Sequence, residues 1–114
     1  MSHNDNEIAS LLPLTPVVFH ILLALMDEPR HGYSIMQEVN RRSESKVGLG
    51  PGTLYGAIQR MEDARLLQKS EPPSGEVADP RRRYYAMTDV GRAALLAETE
   101  RLESLVASVR QKVI

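Results

Sequence analysis

The sequence contains no cysteine and no tryptophan, and only one phenylalanine, among its 114 residues. Without cysteine, disulfides and thiolate metal sites are excluded, and the composition fits a reducing compartment, so we expect a cytoplasmic protein. No apolar run reaches the roughly 20 residues that a membrane helix needs. The longest run, Pro16 to Met26, is interrupted by His20, and the acidic start MSHNDNE is unlike a signal peptide. We therefore expect neither membrane insertion nor export.

The chain also lacks a strong excess of either charge, since its formal net charge is -1. This near balance argues against a protein that binds polyanions over its whole surface. The charges are nevertheless unevenly placed: residues 1–29 carry -4, residues 30–83 carry +3 and residues 84–114 are neutral. The basic side chains are thus concentrated in the middle of a chain long enough for one compact domain.

Patterns typical of catalytic or metal sites are missing as well. His3, His20 and His31 have no metal-ligand spacing, and no glycine-rich phosphate loop or recognisable catalytic serine or carboxylate pair occurs. We therefore expect a protein that is not an enzyme and has neither a cofactor nor a metal site.

Three helices are predicted in the first half of the chain. Thr15 followed by Pro16 is typical of a helix start, because the hydroxyl caps free N–H groups and proline suits the first position. This helix should end near Met26. A turn over residues 31–34 should lead to the second helix, and residues 1–12 are expected to form a flexible tail.

The third predicted helix lies within GPGTLYGAIQRMEDARLLQKS, residues 50–70. At 100° per residue, one face is apolar and comprises Leu54, Ala57, Ile58, Met61 and Ala64. The opposite face carries small and polar residues, namely Gly52, Tyr55, Gly56, Gln59 and Asp63. Because the small and polar residues of this second face give the core little to bury, it is the candidate binding surface of the helix.

Two short strands and a long helix are predicted after this point. Residues 66–71 and 82–87 suit paired strands, and the polar loop PPSGEVADPR between them predicts a hairpin. A helix should then run from Thr88 to about Lys112. Its apolar stripe, completed by Thr99, suggests a partner chain, although it could also pack on its own domain; the stripe consists of Leu95, Leu102, Val106, Val109 and Val113.

Three helices followed by a hairpin is the element order of a winged helix-turn-helix, in which the third helix enters the DNA major groove. The predicted fold class is therefore mainly α with a small β-hairpin. We expect a winged helix-turn-helix DNA-binding domain over residues 13–87 and a C-terminal dimerisation helix over residues 88–114.

On this interpretation, two groups of residues contact the duplex. Glycines on the third helix let its backbone approach closely, its tyrosine and glutamine offer polar groups to bases, and flanking side chains hold phosphates. The basic residues of the hairpin contact the sugar-phosphate backbone. The predicted DNA-binding residues are Gly52, Thr53, Tyr55, Gly56, Gln59, Arg60, Lys69, Arg81 and Arg82.

Four segments together resemble the PadR family of transcriptional regulators: LTPVVFHILLAL, HGYSIMQEV, GPGTLYGAIQRMEDARLL and RRRYYAMTDVGRAAL. The resemblance implies a homodimeric winged-helix repressor, with the C-terminal helix as the dimerisation element and a small molecule that relieves repression. The single C-terminal helix is similar to the small branch of the family. The match assigns Thr53 and Tyr55 to DNA and Leu54 to the core, and it places Tyr84, Thr88 and Gly91 at the strand-to-helix junction.

Two departures from the family pattern matter. Arg65 stands where the family usually has a glycine that ends the recognition helix, so a non-glycine residue must form that C-cap or its geometry must change. The chain also lacks the tryptophan that small members use between subunits to bind planar drugs, so the identity of an effector does not carry over. Phe19 and His20 are the candidate effector-binding residues, while Tyr33 is expected to seal the second helix against the third.

The sequence thus predicts a sequence-specific DNA-binding transcriptional regulator. The favoured form is a repressor that binds an inverted-repeat operator in double-stranded DNA as a homodimer and is released by a small hydrophobic or aromatic effector. Two alternatives stay open: a winged-helix module that binds a protein, and a constitutive DNA-binding protein without an effector. The polar, glycine-containing face of the third helix favours DNA over a protein partner.

Overall fold

The computed structural model describes residues 5–77 and 79–113, and within them five helices and three strands follow one another. Three helices, a hairpin and a long final helix occur in the predicted order, which confirms the predicted fold class. In these residues no helix is both long and apolar enough to span a bilayer. The elements are α1 (Asp5–Ser10), α2 (Pro16–Ala24), β1 (Arg30–His31), α3 (Gly32–Arg42), α4 (Pro51–Asp63), β2 (Leu67–Ser70), β3 (Tyr84–Met87) and α5 (Asp89–Val113).

Side-chain caps fix where α2 and α3 begin. The Thr15 hydroxyl accepts a hydrogen bond from the Val18 N–H at 3.2 Å, as expected for the start of α2. His31 Nδ1 accepts from the Ser34 N–H at 3.2 Å, and this cap lets α3 begin at Gly32. The turn predicted over residues 31–34 is therefore mostly helix.

The core lies between α2, α3, α4 and the sheet. The predicted apolar face of α4 is confirmed, since Leu54, Ala57, Ile58 and Met61 are each at most 2% exposed. Helix α2 supplies Ile21 and Leu22, and α3 supplies Ile35 and Val39, all without exposed surface. Burying one face of α4 in this way leaves its other face at the surface of the molecule.

The sheet has a third strand that the sequence did not reveal. Its order is β1-β3-β2, all antiparallel, with Arg30 opposite Tyr85 and His31 opposite Tyr84. The Arg30 guanidinium also donates from Nε to the Ala24 carbonyl at 2.7 Å, which ties β1 to the end of α2. Two residues show no detectable periodicity, so this strand depends on its long-range pairing.

The predicted flexible tail is wrong over residues 5–10, which form α1, and residues 1–4 lie outside the described residues. Ile8 is only 6% exposed and belongs to the core. Helix α1 packs against α5, and Glu7 lies 3.4 Å from the Arg65 guanidinium. A six-residue helix is marginal by itself, so docking of Ile8 accounts for its formation.

The first half of α5 belongs to the core and the second half does not. Leu95 is 3% exposed, which corrects its assignment to the dimerisation stripe: it packs within its own chain. Glu98 is also buried, and hydrogen bonds from Arg101 at 2.7 and 2.9 Å hold the pKa of its carboxyl below the usual value. Beyond this pair the helix carries exposed apolar residues: Leu102, Leu105, Val106, Val109 and Val113.

Arg65 ends α4 in the left-handed conformation, with φ of 62°. Its N–H donates to the Glu62 carbonyl at 3.0 Å, and the Leu66 N–H donates to the Met61 carbonyl at 2.8 Å. These two bonds form a Schellman motif, in which glycine is the usual residue at the left-handed position. The C-cap geometry is thus retained, and a non-glycine residue adopts it.

Arg65→Gly is expected to stabilise the protein by about 0.5–1 kcal/mol, because a side chain in the left-handed region costs about 1–2 kcal/mol and the greater unfolded-chain freedom of glycine offsets part of the gain. Chemical denaturation should show this increase. Arg65→Ala is the control, since it removes the exposed pair with Glu7 but keeps the unfavourable φ. A glycine variant no more stable than the alanine variant would contradict the expectation.

Candidate nucleic-acid interface

The exposed face of α4 consists of the residues that the sequence assigned to it. Gly52, Thr53, Tyr55, Gln59 and Arg60 are exposed, and Gly56 is partly buried. Gln59 donates a side-chain hydrogen bond to Asp63 at 3.3 Å, one turn further along the helix. This face therefore carries hydroxyl, amide and guanidinium groups beside two residues without a side chain, a combination that suits base edges and phosphates.

Asn40 positions the start of α4. Its side-chain amide donates to the Leu49 carbonyl at 3.0 Å, and its oxygen accepts from the Leu49 N–H at 2.9 Å. Leu49 is 3% exposed, so the residue before the helix start is anchored both by hydrogen bonds and by burial. Gly50 caps the helix without a side-chain bond, and Pro51 follows at its first position. The N-terminus of α4 is thus held in place although the loop before it is polar.

Tyr55 lies across Gly32 at the start of α3. A Cβ built on Gly32 would stand 2.5 Å from the Tyr55 hydroxyl oxygen and 3.0–3.1 Å from atoms of its ring. Only a residue without a side chain leaves room for the ring in this position. Tyr55 nevertheless remains 52% exposed, so one side of the ring is supported and the other faces solvent.

Helix α4 and the loop between β2 and β3, here called the wing (residues 71–83), border one cleft of about 500 Å³. The cleft brings together five of the predicted residues, Tyr55, Gln59, Lys69, Arg81 and Arg82. The other four, Gly52, Thr53, Gly56 and Arg60, do not line it and lie elsewhere on the exposed part of α4. The candidate interface is therefore the outer face of α4 together with the basic residues at the base of the wing.

Tyr84 of β3 connects the wing to His31 of β1. The Tyr84 hydroxyl donates to the Glu76 carboxylate, and the His31 ring meets the Tyr84 ring edge-on with 5.4 Å between centroids. Burial, together with the positive charge of Arg82, lowers the pKa of His31, while Glu76 opposes this effect. The neutral imidazole is the form required by the cap of α3, because Nδ1 must accept a hydrogen bond.

Sequence reasoning gave one residue of this cleft, Tyr33, a different role. Tyr33 is 58% exposed and lines the cleft, so the expectation that it seals two helices is wrong. Arg83, one of the basic hairpin residues expected to face the sugar-phosphate backbone, is exposed and lines the cleft as well. Helical periodicity could have signalled Tyr33, since it lies two positions before the buried Ile35 and is therefore turned away from the core.

The two candidate effector residues lie in different depressions. Phe19 borders an apolar depression of about 350 Å³ with Leu102 and Val106 of α5. His20 borders another, together with Arg42 and Val47, and its buried Nδ1 has no hydrogen-bond partner among the described residues. The two rings touch edge-on, with centroids 6.2 Å apart, but they do not line one site in the single chain.

Gly52→Ala is expected to stabilise the protein yet weaken its binding to DNA. Nothing lies within 4 Å of a Cβ at this position, and alanine is favoured over glycine in a helix by about 0.5–1 kcal/mol. The added methyl group would, however, hold the backbone away from the duplex and lower operator affinity by about tenfold. Chemical unfolding measures the expected rise in stability, and DNA titration measures the expected fall in operator affinity. Unchanged DNA affinity would refute a close approach of the α4 backbone to DNA at Gly52.

Comparison with known proteins points to one family. The family model described as the transcriptional regulator PadR-like family matches residues 21–97. Transcriptional regulator Rv3488 of Mycobacterium tuberculosis is 37% identical over 94 residues, which cover 82% of this chain and 81% of that protein. Uncharacterized protein X of Lysinibacillus sphaericus is 34% identical over 76 residues, which cover 66% of this chain and 67% of that protein.

A solved structure shows the same fold. The crystal structure of a PadR family transcription regulator from Clostridium difficile matches with a TM-score of 0.70 at 24% identity. The match covers 88% of this chain and 100% of that one.

Proposed function

The chain belongs to the PadR-like family of transcriptional regulators, and we propose that it is a repressor that binds an inverted-repeat operator as a homodimer. We further propose that a small hydrophobic or aromatic effector releases it. Members of the family are DNA-binding regulators of transcription, not enzymes. A regulator acts where the genome is, so we place its activity in the cytoplasm.

One observation carries the assignment of the DNA-binding surface. The face of α4 that the core leaves exposed adjoins a cleft whose other side carries Lys69, Arg81 and Arg82. A helix face with short and polar groups fits the major groove, and adjacent cations fit the flanking phosphates. We therefore propose that α4 reads bases and that the base of the wing holds the sugar-phosphate backbone.

The second half of α5 supports the homodimer. Leu102, Val106, Val109 and Val113 recur on one side of the helix, and each is between 38% and 78% exposed. A long exposed apolar stripe of this kind is typical of an interface between helices. In a two-fold dimer the same surface of each copy would be buried, and the two α4 helices could meet half-sites about 34 Å apart. Residues 13–87 would then act as the DNA-binding domain and residues 88–114 as the dimerisation helix.

The depression beside Phe19 is the favoured site for an effector. Its lining is mainly apolar, and Leu102 and Val106 belong to both the depression and the proposed dimer stripe. A hydrophobic ligand bound there would alter how two copies pack and thereby change the spacing of the α4 helices. Such a ligand releases DNA only if it binds the spacing that does not fit the operator more tightly.

The direct test is fluorescence anisotropy with the DNA upstream of the encoding gene and a shuffled duplex of equal length, at several salt concentrations. The proposal expects tight binding to one duplex, an affinity that falls with salt, and a stoichiometry of two chains per operator. Sedimentation of Val106→Asp should show monomers that bind the operator weakly. Equal, weak binding to both duplexes would contradict the operator, and binding to neither would favour a protein-interaction module.

A further inference from the structure

Two arginines of the wing are already paired within their own loop. Asp79 accepts hydrogen bonds from the Arg81 backbone N–H at 2.9 Å and from Arg81 Nε and Nη2 at 3.3 Å each. Arg82 Nε lies 3.9 Å from the same carboxylate. One acidic side chain therefore contacts both of the wing arginines that we assign to the DNA backbone.

Asp79 offers these arginines the same chemistry as a DNA phosphate. Carboxylate and phosphate both present anionic oxygens in a geometry that a guanidinium binds through two N–H groups. Hydrogen bonds from Arg81 hold the pKa of Asp79 below its usual value, so the carboxyl is ionised at neutral pH. A phosphate that binds Arg81 must therefore displace a charged competitor.

The pairing is weak enough to be displaced. The side chain of Arg81 is 89% exposed and that of Arg82 is 51% exposed, and solvent screens such surface ion pairs strongly. By contrast, neither Lys69 nor Arg83 forms a salt bridge within residues 5–77 and 79–113. The cleft is thus bordered by two cations that are open to DNA, Lys69 and Arg83, and by two that are occupied in the free protein, Arg81 and Arg82.

We propose that Asp79 is an internal competitor for DNA phosphates, which occupies Arg81 and Arg82 in the free protein and lowers its affinity for any duplex. The proposal rests on the DNA-binding function proposed above and deepens it. Asp79 reads no base; it sets the absolute affinity and the salt dependence of binding. Phosphate contacts supply nearly all of the binding to non-operator DNA, so the competitor limits how much protein such DNA retains.

The test compares the full chain with its Asp79→Asn variant on a random-sequence duplex, by anisotropy at several salt concentrations. The asparagine oxygen can still accept from the Arg81 backbone N–H, but the competing charge is gone. We expect affinity to rise about fivefold and the log–log salt slope to steepen by up to about one unit per wing. The melting temperature should stay unchanged, because the site is an exposed loop.

Glu71→Gln is the matched control, because it removes the same charge from the wing while its carboxylate forms no ion pair with an arginine within the described residues. An equal gain in both variants would overturn the proposal, since general charge would then explain it. The gain should also shrink when Asp79→Asn is introduced into Arg81→Gln, and it should vanish when Arg81 and Arg82 are both replaced by glutamine. A gain that persists without either arginine would count against the proposal.

The failure of this inference can be told apart from the failure of the proposed function. If the unaltered protein binds DNA but Asp79→Asn binds no tighter, the competitor role alone is refuted. If neither protein binds any duplex at low salt, DNA binding fails and the competitor role fails with it.

Discussion

Replacing Gly91 by alanine is expected to destabilise the protein by about 3 kcal/mol or more. A Cβ on Gly91 would lie well inside 3.0 Å of the Leu66 carbonyl oxygen, and 3.0 Å from both the Leu66 carbonyl carbon and Met87 Cγ. The Leu66 carbonyl belongs to the backbone and accepts a hydrogen bond from the Thr88 N–H at 3.1 Å. Relieving the clash would therefore separate α5 from the end of α4.

The junction around Gly91 leaves little freedom to adjust. The Thr88 hydroxyl donates to the Arg65 carbonyl at 2.6 Å and accepts from the Gly91 N–H at 2.9 Å. The first bond ties Thr88 to the end of α4, and the second caps the first turn of α5. Steric overlap with backbone should therefore outweigh the better helix propensity of alanine, which is worth about 1 kcal/mol.

Thermal unfolding measures this effect, and a loss of about 10 °C or more in melting temperature is expected. Gly52→Ala is the matched control, because it makes the same chemical change where nothing lies within 4 Å of the new Cβ. The two substitutions should move stability in opposite directions. If the Gly91→Ala protein has the same melting temperature as the unaltered protein, the close approach of α5 to Leu66 is ruled out.

Replacing Tyr55 by alanine is expected to lower operator affinity about 10- to 100-fold, with the fold and the dimer intact. The side chain is 52% exposed on the face of α4 that borders the basic cleft. Truncation removes a group held in place over Gly32 but leaves the buried face of the helix untouched. The loss should therefore be a loss of binding rather than of stability.

Anisotropy titrations against the operator and a random duplex at one salt concentration measure this loss. Tyr55→Phe separates the two chemistries of the side chain: it should bind as weakly as the alanine variant if the hydroxyl contacts DNA, and nearly normally if the ring packs on a thymine methyl. Operator affinity of Tyr55→Ala within twofold of normal would remove Tyr55 from the interface.

Gly32→Ala tests the support of Tyr55 without removing the ring. Its Cβ would displace the flexible end of Tyr55 and leave the core residues of α3 in place. Its operator affinity should therefore fall while its stability changes little. Normal affinity in this variant would show that the position of the ring over Gly32 is unimportant for binding.

The predictions from sequence succeeded where the determinant is local. The buried face of α4 follows from the spacing of Leu54, Ile58 and Met61, and the start of α2 follows from Thr15 and Pro16. Each depends on residues within a few positions of one another, and helical geometry relates such residues in a fixed way. The same reasoning located the exposed face of α4, while the DNA-binding roles of its residues remain predictions.

The errors arose where a residue depends on a distant partner. Residues 5–10 form α1 rather than a flexible tail because Ile8 is buried in the core. Leu95, which was predicted to belong to the exposed stripe, is buried in the same core. The stripe of α5 has one period along its whole length, so periodicity alone does not show where the helix leaves its own domain. Only the packed structure separates Leu95 from the exposed Val106.

The sequence by itself determined the order of helices α2 to α5 and the hairpin, the starts of α2, α4 and α5, and the two faces of α4. These features follow from local backbone geometry and the segregation of apolar side chains. The tertiary structure alone decided that β1 pairs with β3, that Gly32 supports Tyr55 and that Asp79 occupies the wing arginines. These features join short or exposed segments through steric fit and charge contacts. No periodicity encodes such contacts, so they emerge only when the folded chain brings the partners together.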